Sequence, residues 1–466
     1  MLSSFLSQLG SLLSPNAKIV TNETVDEFTE LLRRWTDSDK QIPGAIVLVA
    51  TEEDVVNTVK LAVQSKVPFV PKSGGHSSWS TIGQSGIIID LSRFRGVVVD
   101  KDAKSVTVTG GTVIKEVNDA AFEQGLCVPL GNANSLGVIP MAIGGGLTVL
   151  ATLCGYASDN ILSAHLVTAK GELITVSDTS HPDLLYAIRG AGQFFGVVTT
   201  LTLRAYPLSI LRTPDSTIYS GKFVFPISRL QEVLDVLVPM VVDESNPWTG
   251  YFMVCAPPPT LETVILFFPY YFGPTQEAEK FLEPISALGP IVSTGGNLPY
   301  VRVNDITEPF CIKDGFKRLT GAGTGVNFFR ENVKDFSSKV VELFEELKKT
   351  APDAAASLYA IEWSTYVSPD KKKFEETAFS HKDVKFWFQF MVWYTEPASH
   401  GEVSRFEQQA INTVREGQAP EDISTYQNWT RSAPIEIRYR GESRLKRLRA
   451  LKKEWDPNGV FTRELL

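Results

Sequence analysis

One histidine of this chain sits among small residues in PFVPKSGGHSSW, where Ser73, Gly74 and Gly75 precede His76 and Ser77 follows it. Two consecutive glycines let the backbone reach positive φ, so that its N–H groups converge on an anion such as a pyrophosphate. By spacing alone that reading stands level with a plain turn carrying an incidental histidine. A second cluster, GNANSLGVIPMAIGGGLTVL, reads as Gly144, Gly145 and Gly146 opening an apolar helix, whose first amides favour phosphate. A tight bend that lets a helix approach a sheet is the competing reading. A third cluster, IRGAGQFFGVVT, joins a helix to a strand and contains Gly196 and Val197. Three such loops separated by strands point to a long, phosphate-bearing cofactor. None has the dinucleotide GxGxxG signature or the GxxxxGK[ST] phosphate loop, so nicotinamide and ATP chemistry lose ground. Further on, Glu362 in YAIEWSTY and Gln389 in KFWFQFMVW are isolated polar residues on aromatic strands. They are candidates for acid–base work, although a polar strand residue more often faces solvent. Cys127, Cys154, Cys255 and Cys311 show no metal-ligand spacing; no metal is expected, and free buried thiols are.

The order PKSGGHS, GGG, GYASDN, RGAGQFFGVVT, YQNW and KKEWDPNGVF resembles the FAD-linked oxidoreductases of the vanillyl-alcohol oxidase superfamily. The berberine-bridge-enzyme-like branch, in its fungal and microbial form, is the nearest match. The resemblance covers residues 40–207 and 420–466 closely and the middle loosely. It implies FAD held by Lys72, Ser73, Gly74, Gly75, His76 and Ser77 in the first loop. Ser135, Leu136, Gly137 and the triplet Gly144, Gly145, Gly146 follow, then Asn160, Gly196, Val197, Tyr426 and Asn428.

It also implies a bond from the His76 imidazole to the flavin 8α carbon, which raises the flavin's potential and prevents cofactor loss. Many members add a second bond from a cysteine. That position is Ala133 here, and Cys127 is not a convincing substitute, so one covalent bond is expected. Bicovalent members favour large carbohydrates, and the single bond argues against an oligosaccharide. Leu136 falls where related enzymes gate oxygen at flavin C4a; a leucine there implies a sluggish reaction with O2, with plain packing as the alternative. The family's closing YxNY is Tyr426-Gln427-Asn428-Trp429 in this chain, and an indole cannot serve as a base. Tyr426, Glu362, Gln389 and Asn428 are therefore the catalytic candidates, with catalysis by positioning alone as the alternative. His381 matches a family position, and a structural or surface role is expected for it.

These loops need elements to hold them. IVLVA, VPFVP, GIIID, GVVVD and SVTVTG read as strands, and GVVTTLTLRAYP as a long strand with one buried face. TEEDVVNTVKLAVQS reads as a helix capped by Thr51, TVIKEVNDAAFEQG as one stopped by Gly125, and HPDLLYAIRG as one with Pro182 in its first turn. After Pro207 come the aromatic strands TVILFFPYYF, SLYAIEWSTYV and KFWFQFMVWYT, with charged helices such as FSSKVVELFEELKKT between them. That texture predicts an antiparallel sheet with helices on one face. The expected fold is α+β in two lobes. A vanillyl-alcohol-oxidase-like FAD-binding domain covers 1–207, with its core at about 40–207. A substrate-binding domain covers 208–420, and 421–466, with the helix GESRLKRLRALKKEW, returns to the first lobe.

Composition sets the outer bounds. A net charge of −8 over 466 residues argues against nucleic acid or an anionic membrane as partner. No run approaches the roughly 18 apolar residues of a membrane span. MLSSFLSQLGSLLSPNA reads as a short amphipathic helix rather than a signal peptide, so a cytoplasmic monomer or homodimer is expected. The expected reaction is hydride transfer from a small, largely apolar secondary metabolite or alcohol to flavin N5, with or without cyclisation. O2 or another acceptor then reoxidises the flavin. The competing class is a non-redox isomerase or pericyclase that uses the same pocket; a protein holding FAD only as structure is a weaker third.

Overall fold

In the computed structural model, which describes residues 2–365, 377–430 and 433–466, the short apolar runs of the first half divide between two sheets. Ala45–Leu48, Ile87–Asp90 and Phe69–Lys72 pair in parallel, with Lys18–Val20 antiparallel on the outer side. Parallel neighbours need crossovers, and the helix Glu52–Ser65 lies in one of them. It starts where Thr51 dictates: the Thr51 hydroxyl accepts from the Asp54 N–H at 3.1 Å, while the Asp54 carboxylate accepts from the Thr51 N–H at 2.9 Å. The second sheet runs Val97–Asp100, Ser105–Thr109, Val197–Arg204, Ile161–Val167, Leu173–Ser177, antiparallel throughout. The N-terminal helix Leu2–Gly10 buries Phe5 and Leu9 against Val55 and Val59. No helix among the described residues is long and apolar enough to cross a membrane.

The aromatic strands form a seven-stranded antiparallel sheet in the order Val292–Pro299, Thr217–Pro226, Val264–Tyr271, Trp248–Cys255, Leu358–Trp363, Phe386–Tyr394, Phe316–Thr324. SLYAIEWSTYV contributes Leu358–Trp363, and its last two residues lie outside the described ones. Alternation gives the sheet two unlike faces. Tyr359, Ile361, Trp363, Phe386, Phe388 and Phe390 pack under the helices Leu230–Val241, Thr275–Ser286, Val326–Thr350 and His400–Arg415. Their neighbours on the same strands face the first lobe. This is the α+β architecture in two lobes that the sequence predicts.

The chain finally returns to the first lobe. Leu445, Leu448 and Leu451 of the helix Glu442–Trp455 join a core with Phe194 and Tyr439. Lys452, fully buried, donates to the Phe194 carbonyl at 2.7 Å and pairs with buried Asp456 at 2.5 Å.

The glycine triplet corrects one expectation. It does not open a helix: Val138–Ile143 ends at Gly144, and the chain then bends through Gly145 at φ 125° and Gly146 at φ 75°. A Cβ on Gly145 would lie 2.5 Å from the Phe379 ring. The bend, the competing reading, is what forms.

Candidate active site

A cleft of about 570 Å³ separates the open face of the seven-stranded sheet from the loops of the first lobe, within the usual range for cofactor and ligand sites. The strand Phe69–Lys72 delivers the first loop to it. Ser73 Oγ donates to the Gly110 carbonyl at 2.7 Å. A Cβ on Gly74 would meet the Gly137 nitrogen and the Ser135 oxygen, each at 2.6 Å, so glycine alone lets the two loops close on each other. The His76 Nε2 lies 2.8 Å from Ser135 Oγ, and its ring stacks on Trp35 with centroids 6.1 Å apart. No hydrogen bond among the described residues engages Nδ1. Burial first, then the charges of Lys313 and Lys317, pull its pKa down to about 4, so the imidazole is neutral at neutral pH. Leu136, Gly137, Ser77, Gly196 and Val197 also line the cleft.

The opposite wall carries one carboxyl. Leu358, Ala360 and Glu362 share the face turned from the helices, beside Tyr251, Met253, Gln389 and Met391. Glu362 is 6% exposed and therefore does not meet solvent as its type suggested. Gln389 Nε2 donates to it at 2.7 Å, and the Tyr251 hydroxyl donates to it as well. Asn132 Nδ2, from the loop beside Ala133, in turn donates to the Tyr251 oxygen. Burial pushes the Glu362 pKa up to about 7, against the two donors, which lower it.

Tyr426 and Asn428 line the cleft, and their polar atoms are engaged there. The Tyr426 oxygen accepts from the Gly146 N–H at 2.7 Å and from Asn428 Nδ2 at 2.9 Å; Asn428 Nδ2 also reaches the Met141 carbonyl at 3.0 Å. Burial raises the Tyr426 pKa, which keeps it a phenol. Gln427 Nε2 donates to the carbonyls of Gly144 and Gly190. The triplet Gly144, Gly145, Gly146 is thus locked against YQNW instead of lining the cleft.

Two more residues implied by the resemblance point elsewhere. Lys72 Nζ turns to Asp90 and to the Leu31 carbonyl, both at 2.8 Å, because burial on that side demands a counter-charge. Asn160, fully buried, donates to the Cys154 and Tyr156 carbonyls and accepts from the Tyr206 hydroxyl at 2.7 Å, tying loops together. His381 is fully buried with Nε2 2.9 Å from the Arg438 carbonyl, a structural role. Trp35, Asn132, Tyr251, Met253 and Met391 were not foreseen. The alternation of WTGYFMVC could have placed Tyr251 on a face with Met253; Trp35 has no local signal, since its partner His76 lies on another loop.

Residues 43–177 match the family model described as FAD binding domain, so the cleft belongs to a flavin-dependent oxidoreductase. Over 97% of this chain and 97% of the relative, the sequence is 30% identical to the FAD-linked oxidoreductase hasG of Aspergillus fumigatus. The chain belongs to the FAD-linked oxidoreductases. Its fold is that of BBE-like 1 from Physcomitrella patens, with a TM-score of 0.82 and 20% identity over 99% of this chain and 98% of that one. The glucooligosaccharide oxidase of Acremonium strictum, described with a 6-S-cysteinyl, 8α-N1-histidyl FAD, is similar at a TM-score of 0.80 and 19% identity, over 99% and 98%.

Proposed function

We propose that this chain carries FAD through one bond at His76 and oxidises a small, largely apolar molecule that yields a proton to Glu362 as it loses a hydride. When bound, the flavin supplies the hydride acceptor. The residues present suit it: one wall is main chain at Ser73, Gly74 and Gly75, and a neutral imidazole stands at that wall. With Nε2 against Ser135, Nδ1 is the ring nitrogen left to form the bond. Ala133 at the cysteine position supports one bond rather than two. In this reading the FAD-binding unit spans 1–207 and 421–466, the substrate unit spans 208–420, and O2 or another acceptor completes the cycle.

The observation that carries the proposal is Glu362, a buried carboxyl among Met253, Leu358 and Met391, held by Tyr251 and Gln389. A base works best when its pKa lies near the operating pH, and about 7 meets that condition. Met253, Leu358 and Met391 offer no hydrogen bonds to a carbohydrate, which favours a substrate with one hydroxyl or N–H on an apolar frame.

Candidate phenols, alcohols and amines are to be mixed with the flavin-loaded protein without oxygen while the flavin colour is followed. Wild-type reduction should rise with pH through about 7, as Glu362 loses its proton. Glu362→Gln should slow it by about 10²–10⁴-fold and flatten the profile, at unchanged flavin content. Equal rates would remove Glu362 as the base. Product formed with the flavin still oxidised would establish the non-redox cyclase or isomerase reading instead. Acid precipitation tests the bond: wild type should stay yellow and His76→Ala should release its flavin. A wild type that loses all colour would falsify the covalent link.

A further inference from the structure

Arg34 is 4% exposed, and its Nε and Nη2 are buried with no hydrogen-bond partner. Among the described residues no carboxylate pairs with it; Asp37 and Asp39 act on it only at a distance, and desolvation is the largest influence on it. A guanidinium cannot shed its proton inside a protein, so burial without a counter-charge is strongly unfavourable. Arg34 lines a small cavity of about 10 Å³, at the lower edge of the room that one water takes. Lys40, Lys72, Gly75 and Ser80 line it too, and Leu32 and Ile88 give it apolar walls. Lys40 is neutralised by Asp37 at 2.8 Å and Lys72 by Asp90 at 2.8 Å. Arg34 is the cation of this cavity without a carboxylate in contact. A water molecule would satisfy one N–H and leave the charge.

We propose that a small monovalent anion, chloride or one of its size, occupies this cavity against the Arg34 guanidinium. The cavity lies behind the turn that carries His76 and shares only Gly75 and Ser80 with the large cleft. The Arg34 Cα is 3.9 Å from where a Cβ on Gly75 would stand, and the next residue, Trp35, donates its N–H to the Gly75 carbonyl at 3.0 Å while its ring stacks on His76. The anion therefore fixes the wall that supports the histidine. A second source of the same charge is an oxygen of the cofactor's own diphosphate reaching round Gly75, and the experiment separates the two.

Crystals of the flavin-loaded protein grown in bromide are measured at the bromine absorption edge. An anomalous peak within hydrogen-bond reach of the Arg34 guanidinium supports the proposal. No peak there, with water or a cofactor phosphate oxygen in its place, overturns it. In solution, melting is compared in potassium bromide and potassium gluconate at equal ionic strength. A saturable rise of about 1–2 °C at tenfold the dissociation constant is expected in bromide. The rise should vanish in Arg34→Met, and equal melting of wild type in both salts counts against the anion. Should Arg34→Met not fold, the wild-type bromide map decides.

Discussion

Tyr251 does two things at once, since its hydroxyl receives a hydrogen bond from Asn132 on the flavin-side loop and gives one to Glu362. The carboxylate form of Glu362 gains from that donor, and the neutral acid gains less. Tyr251→Phe takes the donor away, so proton loss from Glu362 becomes harder. The pH midpoint of anaerobic flavin reduction should move up from about 7, while flavin content and folding stay as in wild type. A midpoint that does not move would leave Tyr251 as packing only. Asn132 stands further along the same chain of donors, so its loss should act in the same direction and more weakly.

At the scale of elements the bend at Gly145 carries the most consequence. Its φ of 125° suits glycine alone, and any side chain there collides with Phe379 and crowds Tyr426, whose ring would be 3.0 Å away. Gly145→Ala should cost about 1–3 kcal/mol, read from denaturant unfolding, and the displaced Tyr426 should loosen flavin retention. The same bend shows what sequence reading could reach. Caps and strands were legible because their causes are local: Thr51 and Asp54 are three residues apart, and Phe386–Tyr394 is a run of aromatic and apolar residues broken only by Gln389. The triplet was not, because GGG on its own fits a bend as well as the helix start it was assigned to, and the partners that decide it, Tyr426 and Gln427, come from the far end of the chain. Glu362 illustrates the same limit. Both faces of its strand are apolar, and nothing within LYAIEW says which face the helices cover and which face the cofactor cleft keeps. Lys72 and Asn160 were assigned to the cofactor by resemblance, and partners on other elements, Asp90 and Tyr206, claim them.

Over the whole molecule, the last helix fastens the first lobe. Lys452 and Asp456 are both fully buried, and each answers the other's charge. Removing one partner leaves an uncompensated charge in the interior, so Lys452→Met should destabilise the protein by about 3–5 kcal/mol, measured by urea unfolding. Replacing both residues with apolar ones should restore much of that loss, because the stranded charge goes with its partner. The same return of the chain brings Gln427 onto the carbonyls of Gly144 and Gly190 and Tyr426 onto Gly146. These clasps come from residues that a ribosome adds only after every strand of both lobes has been made. A nascent chain halted before them can fold its sheets and still lack the fastening of its cofactor loops. A chain truncated before Tyr426 should therefore keep less flavin than the full chain, read from its visible absorbance after desalting.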